Sequence, residues 1–296
     1  MSVPQRIAIT GASGLIGTAL VGHLKSEGHT VQRLVRRAPV SADEVQWDPQ
    51  TGFVDLEPLR GVDAIIHLAG VGVGDKRWNK KYKSEILNSR LLGTTAIANA
   101  VAELKPQVFI SSSAIGWYGE SGNRAVVETD RAGDDFLAAV CREWEAAADL
   151  AGDIRTVKIR TGLVLDPTGG ALGKMLPLFR LGLGGKMGNG KQWWSWITLH
   201  DQIRAIVFAL ENPISGPVNL TAPNPVTNQE FTSALARAMH RPALFPAPGI
   251  ALKVALGGFS SEILGSKRVI PHVLQEAGFT WDYPHISEAL AQLVQD

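Results

Sequence analysis

The sequence predicts an α/β fold, a doubly wound parallel sheet with a smaller C-terminal lobe. Three observations carry that prediction. Short β-type runs alternate with helical stretches through the first half of the chain. The first run passes directly into a glycine triplet that opens a helix. From about Asp166 the texture changes and becomes rich in glycine and tryptophan. The chain has 296 residues, 45% hydrophobic and 19% charged, enough for one large domain or one such domain with a smaller partner.

The strands are expected at Arg6–Thr10, Thr30–Val35, Glu44–Trp47, Ala64–Leu68, Gln107–Ser112 and Thr156–Val164. Helices are expected between them at Leu15–Glu27, at Lys80–Leu104 in more than one piece, and at Phe136–Ala151. This is the order of a parallel sheet covered on both faces, with connections long enough for right-handed crossovers. After Asp166 come Pro167-Thr168-Gly169-Gly170, Gly182, Gly184-Gly185 and Gly188-Asn189-Gly190, then Trp193, Trp194 and Trp196. A helix near His200–Asn212 and a strand at Pro217–Leu220 read as a return to the main sheet. Helical patterns at Asn228–His240 and Ile286–Gln295 flank a stretch rich in proline. The expected division is residues 1–165, rejoined by 198–222, as the main domain, and 166–296 mainly as a lobe over its opening.

Composition excludes several functions. Twenty-nine basic and 28 acidic side chains leave a formal charge of +1, which gives no footprint for wholesale nucleic-acid binding. A single cysteine, Cys141, rules out an internal disulfide framework and fits a reducing compartment. The short apolar start, interrupted by Pro4, Gln5 and Arg6, reads as a strand rather than a secretory signal. No window approaches the ~20 apolar residues of a membrane helix. A cytoplasmic protein without membrane partners is expected, its oligomeric state open. The seven histidines show no close metal spacing, so no metal is expected.

Arg6–Thr10 leads into Gly11-Ala12-Ser13-Gly14-Leu15-Ile16-Gly17, a G-x-x-G-x-x-G spacing between strand and helix. Gly11 permits the tight turn, Gly14 lets the backbone approach a pyrophosphate, and Gly17 lets the helix pack on the sheet. The amides around Ser13, Leu15 and Ile16 then face the phosphates, as in a Rossmann-type nucleotide site. The second strand selects the dinucleotide. It ends in Arg36-Arg37, with Arg33 before them and no carboxylate until Asp43. A carboxylate there would repel a 2′-phosphate, whereas a guanidinium grips one through two parallel bonds. NADP(H) is therefore the expected cofactor, with Arg36 as the main contact. The alternative is that Arg36 and Arg37 are ordinary solvated charges.

The sequence resembles the extended short-chain dehydrogenase/reductases. To Gly11–Gly17 it adds His67-Leu68-Ala69-Gly70 after the fourth strand and Ser111-Ser112-Ser113 through Trp117-Tyr118-Gly119 after the fifth. In detail it is similar to the atypical, epimerase-like branch of that superfamily. The features are Lys76-Arg77-Trp78-Asn79, Ser89-Arg90, Trp144-Glu145, Arg160-Thr161-Gly162, Phe179 through Gly185, Trp196-Ile197, Lys267-Arg268 and Gly278-Phe279. The resemblance implies that Leu68, Ala69 and Gly70 pass under the adenosine and ribose. It also implies that Glu85 and Arg90 reach the cofactor from the side, that Val164 lies by the nicotinamide, and that Arg160 is a further cofactor contact. Arg90 stands where many relatives have Asn.

Active members of the superfamily generally carry Tyr-x-x-x-Lys, in which the lysine lowers the phenol pKa for proton exchange. Four residues after Tyr82, Tyr118 and Tyr283 stand Ile86, Gly122 and Ser287, so this chain has no such pair. Leu137 and Cys141 occupy the two positions on the expected helix. Ser113 keeps the place of the hydrogen-bonding Ser/Thr and is one catalytic candidate. Tyr118 is the other, as a substitute acid/base assisted by Arg160 or Lys158, or else as a packed wall of the pocket. An unassisted phenol, titrating near ~10, is a poor base at neutral pH.

The Gly182–Trp196 run reads as a substrate wall, with glycines for close approach, tryptophans for a planar group, and Arg180 and Lys186 for an anion. Its alternative is a loop over an aromatic mini-core. His200-Asp201 reads as a helix start, with Asp201 as cap or first-turn acid. Three functions share the nucleotide site. One is an NADP(H)-dependent oxidoreductase or epimerase acting on a small molecule, nucleotide-linked or free. The second is an NADPH-binding sensor or scaffold without turnover. The third is a nucleic-acid-binding derivative, against which the near-zero charge argues.

Overall fold

Eight strands form the central sheet in the computed structural model, which describes residues 3–295. They are β1 (Arg6–Thr10), β2 (Thr30–Val35), β3 (Glu44–Asp48), β4 (Phe53–Val54), β5 (Ala64–His67), β6 (Val108–Ala114), β8 (Thr156–Thr161) and β12 (Gly216–Leu220). A short β7 (Ala125–Val126) lies outside the sheet. The order is β12-β8-β6-β5-β1-β2-β3-β4, parallel except for the β3–β4 edge. The expected return of the 198–222 segment takes place through β12, where Val218 pairs with Ile159 of β8.

Residues that alternate along a strand serve two cores. Ile7, Ile9, Ile66, Ile110 and Val157 pack beneath α1 (Leu15–Ser26) and α5 (Leu199–Glu211). Ala8, Ile65 and Phe109 pack beneath α2 (Lys80–Leu104) and the end of α3 (Phe136–Ala148). Burial on both faces is why these strands read as apolar runs without alternation. The α2 segment is one continuous helix of 25 residues rather than several pieces. Its start is fixed by Asn79, whose side chain accepts from the Tyr82 amide at 2.8 Å.

The expected sixth strand does not run through to Val164. It breaks at Gly162 into β8 and β9 (Leu163–Asp166), and β9 pairs with β11 (Trp196–Thr198), outside the main sheet. A Cβ at Gly162 would lie 2.7 Å from the Ser195 carbonyl oxygen and 2.8 Å from Thr221 Cγ2. The missing side chain is what lets the chain pass from one sheet to the other. The glycine-rich stretch after Asp166 also contains a helix, α4 (Gly170–Arg180), started by Gly169-Gly170.

The C-terminal lobe has its own core, in which Leu172, Leu176 and Phe179 of α4 meet Trp196 of β11 and Phe231 and Leu235 of α6 (Asn228–Ala238). Leu290 of α10 (Ile286–Leu293) completes it. Beside it, β10 (Trp193–Trp194) pairs with β13 (Val226–Thr227), and β14 (Arg268–Val269) pairs with β7. The proline-rich stretch is partly helical, holding α7 (Gly249–Leu256) and α8 (Ser260–Leu264), with α9 (His272–Glu276) after it. Phe259 of this part tilts against Trp78, and a Cβ at Gly74 would meet its ring, so the lobe rests on the loop between β5 and α2.

Gly162→Ala tests the two-sheet handoff. Forcing a methyl between Ser195 and Thr221 is expected to cost about 1–3 kcal/mol of stability. Urea unfolding should show the midpoint falling, and an unchanged midpoint would contradict the packing described.

Candidate nucleotide site

The turn between β1 and α1 is shaped by two backbone contacts that exclude side chains. Gly11 has φ +68°, and a Cβ there would lie 2.8 Å from the Leu68 carbonyl carbon at the end of β5. A Cβ at Gly17 would overlap the Gly11 carbonyl oxygen. Gly14 differs: a Cβ there would meet only the Gly11 oxygen, at 3.4 Å. Protein packing does not demand glycine at that position, and the space outside it is open to a ligand. Helix α1 has neither a side-chain cap nor an acidic residue in its first turn. Its first amides are therefore free to meet an anion.

The end of β5 is held in place by a buried pair. The Thr10 hydroxyl lies 2.7 Å from His67 Nδ1 and accepts from the Leu68 and Ala69 amides at 3.1 and 3.3 Å. Burial pushes the His67 imidazole down to about 3, so it is neutral. The imidazole itself thus helps to fix the strand end. A cleft of about 380 Å³ opens between these ends. Gly14, Leu15 and Ile16 line one side and Leu68 the floor. Ser112, Thr161 and Val164 form the far end, and Gly170-Ala171 of α4 closes over it. Among the sequence-predicted residues, Gly11, Gly14, Leu15, Ile16, Gly17, Leu68 and Val164 line this cleft. Ser13 and Gly70 are exposed at its edge. Ser112, Thr161 and the start of α4 were not assigned to the site from sequence, although Ser111-Ser112-Ser113 and Arg160-Thr161-Gly162 stood out as motifs.

The arginines after β2 divide their work. Arg33 bonds Asp43 through Nε and Nη2 at 3.1 and 3.0 Å. Arg37 bonds both oxygens of Glu44 at 2.7 and 2.6 Å. These guanidinium groups hold the Asp43 and Glu44 carboxyls well below their ordinary range, Glu44 at about 2. Arg36, between them, is exposed and has no ion pair or hydrogen bond among the described residues. The local carboxylates are already neutralised, and one cation is left over at the strand end.

The two catalytic candidates are brought together, but inside the protein. Ser113 donates to Glu145 at 2.6 Å, and Glu145 is gripped by Arg160 Nε and Nη2 at 2.8 and 2.9 Å. Arg160 Nη1 bonds the Tyr118 hydroxyl at 3.0 Å, and that hydroxyl donates to Asn219 at 2.7 Å. Arg160 is 2% exposed and its guanidinium lies 3.9 Å over the Trp117 ring. It is the centre of a buried ion-pair network rather than a cofactor contact. Burial pushes the Tyr118 phenol up to about 12, outweighing Arg160, so it is a poorer base than a free phenol. Lys158 is turned away, paired with Asp149 at 2.6 Å. Burial also raises the Cys141 thiol to about 12, which keeps it protonated.

Other expectations are redirected by packing. Glu85 pairs with Lys76 at 3.5 Å. Ala69 is half-buried with its amide on Thr10. Arg90 bonds the Val71 and Ile86 carbonyls beside Gly70. Of the expected substrate wall, Gly185 lets the backbone meet the Phe245 carbonyl, and Gly188 donates to Ala247 at 2.9 Å. The close approach there is to the chain itself. Trp196 is fully buried and Trp194 packs on Phe231, so both belong to the mini-core. Thr198 caps α5, and Asp201, the acid of its first turn as expected, receives Arg204 and the Asp282 and Tyr283 amides. His200, Asp201 and Asp282 place their donor atoms within 4.8 Å of one another, but Arg204 already bonds both carboxylates. No helix among the described residues is long and apolar enough to cross a membrane.

Comparison with known proteins adds an independent line. The model of the NAD dependent epimerase/dehydratase family matches residues 7–221, and a domain of unknown function, DUF1731, matches residues 247–293. Epimerase family protein Mb2239 of Mycobacterium bovis is 45% identical over 288 residues, 96% of each chain. The crystal structure of human epimerase family protein SDR39U1 with NADPH superposes with a TM-score of 0.91 at 33% identity, covering 98% of this chain and 99% of that one. UDP-N-acetylglucosamine 4-epimerase from Bacillus cereus, at 18% identity and a TM-score of 0.77 over 98% of each chain, shares the fold.

The His67 contact has a pH signature. The unfolded imidazole takes up a proton near its ordinary 6.5, whereas the folded one refuses it until about 3. The stability it lends is full above pH 6.5 and is lost as pH falls towards 3. Denaturant midpoints measured at pH 7 and 5.5 should fall more in the wild type than in His67→Gln. Equal falls would remove His67 from this role.

Proposed function

The chain belongs to the NAD dependent epimerase/dehydratase family, and from that premise we propose that it binds NADP(H) in the β1–α1 cleft and acts as an oxidoreductase or epimerase on a small molecule. The observation that carries the cofactor choice is Arg36, a cation with no protein partner among the described residues, one strand from the phosphate turn and beside Arg33 and Arg37, which both have one. The fit is supported by Gly14, whose missing side chain leaves room for a phosphate, and by the uncapped amides of α1. NADPH in the human relative's crystal agrees with it. When bound, the nicotinamide supplies or accepts a hydride.

At the far end of the cleft the chain offers hydroxyls rather than a base. Thr161 accepts from Gln202 Nε2 at 3.3 Å, which leaves its own proton free to bond a substrate oxygen. Ser112 lies beside it on the cleft wall. With Tyr118 and Ser113 tied into the buried network, the proton that accompanies hydride transfer comes from the substrate or from water. That same locking favours the second reading, an NADPH-binding sensor or scaffold without turnover. The single, buried cysteine suits a reducing, cytoplasmic setting for either.

Arg36→Ala should weaken NADPH about 10–100-fold by titration calorimetry, the loss of one charge-assisted bidentate contact, while leaving NADH unchanged. Equal losses for both dinucleotides would overturn the cofactor assignment. Turnover separates the two readings. Oxidation of NADPH by members of a carbonyl panel supports the enzyme, and tight binding with no oxidation across the panel supports the sensor.

A further inference from the structure

The outer face of the C-terminal lobe is apolar and carries charge of one sign. Seven of the twelve large apolar side chains exposed among the described residues lie between Leu178 and Val254. Leu181, Leu244, Ile250 and Val254 are 69–79% exposed. They belong to one surface. Lys174, Leu178 and Leu181 follow one another at helical spacing along α4 and its C-cap, away from the side that buries Leu172, Leu176 and Phe179. Beyond α4 the chain runs beside residues 245–247. The Phe245 amide donates to the Gly184 carbonyl at 3.2 Å, and the Ala247 amide to that of Lys186 at 2.9 Å. This ladder sets Leu183 beside Leu244 and Phe245, and two residues after Ala247 α7 begins.

Helix α7 is the extreme case. None of its eight residues is buried, although Lys253 is its only polar side chain. Ile250, Ala251, Lys253, Val254 and Ala255 are exposed, which at about 3.6 residues per turn is more than half the circumference. A helix that is apolar all round belongs in a core or at a lipid boundary, and α7 lies in no core. Charge completes the surface. Residues 170–191 and 241–261 hold six cations, Lys174, Arg180, Lys186, Lys191, Arg241 and Lys253, and no Asp or Glu. None of the six has an ion pair among the described residues. On the adjoining elements Glu230 closes the α6 capping box, Glu262 is paired with Lys267, and Asp75 stands beside Lys76 and Arg77. In a chain of net charge +1 this face is a local concentration of positive charge. Arg180 and Lys186, which read in the sequence as holders of an anion, are part of it.

We propose that this face docks on an anionic lipid bilayer, with α7 and the Leu181–Leu183 turn at the headgroup boundary and the flanking cations against lipid phosphates. Three features select that occupant. A second copy of the chain, seated on the same face, would set six cations against six. A partner helix or strand would cover one side of α7, whereas a fluid interface wraps the whole exposed arc. Lysine and arginine stems lie along apolar surface while their charged ends reach the headgroups. No helix among the described residues is long and apolar enough to cross a membrane, so the contact is interfacial. The expectation of no membrane partner rested on the want of such a segment and does not bear on this mode. Docking is independent of which dinucleotide the cleft takes. Helix α4 connects the two places, since its first residues close over the cleft and its last carry the docking face, about 16 Å away.

Flotation of the full-length protein with lipid vesicles tests the docking. Phosphatidylcholine vesicles containing about one-third phosphatidylglycerol should carry the protein at about 0.1 M salt, and phosphatidylcholine alone should not. The double variant Ile250→Ser, Val254→Ser removes apolar surface and no charge, and should lower the partition coefficient about 10–100-fold. The double variant Arg180→Glu, Lys253→Glu should lower it at least about tenfold, and wild-type binding should weaken as salt rises. All four positions are exposed, so thermal midpoints should stay at the wild-type value. A wild type that ignores anionic vesicles, or binds neutral ones equally well, overturns the proposal. So does wild-type partitioning by either double variant. A concentration-dependent dimer that Ile250→Ser, Val254→Ser abolishes, without vesicle binding, would assign the face to a second copy instead. A monomer that ignores both kinds of vesicle would leave it to a protein partner and overturn lipid docking equally.

Discussion

The site depends on a place where two stretches of backbone touch with no side chain between them. Gly17, in the first turn of α1, packs on the Gly11 carbonyl, and Gly11 packs on the Leu68 carbonyl carbon. Three elements, β1, α1 and β5, are thereby locked at backbone distance, and Thr10 and His67 lock them again from inside. The first amides of α1 carry the positive end of the helix dipole, which amounts to roughly half a unit charge. With the helix held this close to the sheet edge, those amides face the cleft rather than open solvent. A larger residue at either glycine would push the helix away and scatter the donors, whatever charges surrounded them.

The arginines show how a net charge near zero conceals a polarised site. Arg33, Arg37 and Arg160 are matched to Asp43, Glu44 and Glu145, and Arg204 to Asp201. Arg155 bonds four backbone carbonyls between Ala209 and Ile214. Each of these charges is spent on holding one element to another. Arg36 is not spent in this way, and it stands at the β2 end of the sheet. Counting charges along the chain averages the two groups together. Only the pairing pattern separates them, because an internal ion pair screens its own field while an unpaired guanidinium projects one.

What the sequence made legible was whatever local chemistry decides. Strands buried on both faces betray themselves as apolar runs, and the glycine spacing at 11, 14 and 17 encodes a turn that few other residues allow. The arginines after β2 were visible for the same reason. Tertiary contacts decided the rest. Gly169-Gly170 reads as a breaker yet starts α4, since the turn packs on Leu15 and the helix buries Leu172, Leu176 and Phe179. Gly184 and Gly185 read as room for a ligand yet admit Phe179 and the backbone at Phe245, sixty residues downstream. Gly162 ends a strand that looked continuous because its neighbours on both sides are strand-forming. Ser112, which lines the cleft, and Ser113, which does not, differ only in which face of β6 they occupy.

The buried network explains why the hydroxyls that look catalytic are committed elsewhere. Arg160 ties Glu145 of α3 to Tyr118, Tyr118 reaches Asn219 of β12, and Asn219 donates to the Ile270 carbonyl at 3.0 Å. Glu128 accepts from the Asn219 amide and from the Val273 amide at the start of α9. The chain of bonds therefore runs from α3 to the C-terminal segment, and docks that segment by polar contacts that water cannot easily replace. Within such a network the groups hold one another in place, and removing a proton from the Tyr118 hydroxyl strands a charge inside. Tyr118, pushed up to about 12, shows that cost directly. A phenol used as a joint between two parts of the protein is unsuited to proton exchange, and the polar side chains left on the cleft wall are the hydroxyls of Ser112 and Thr161.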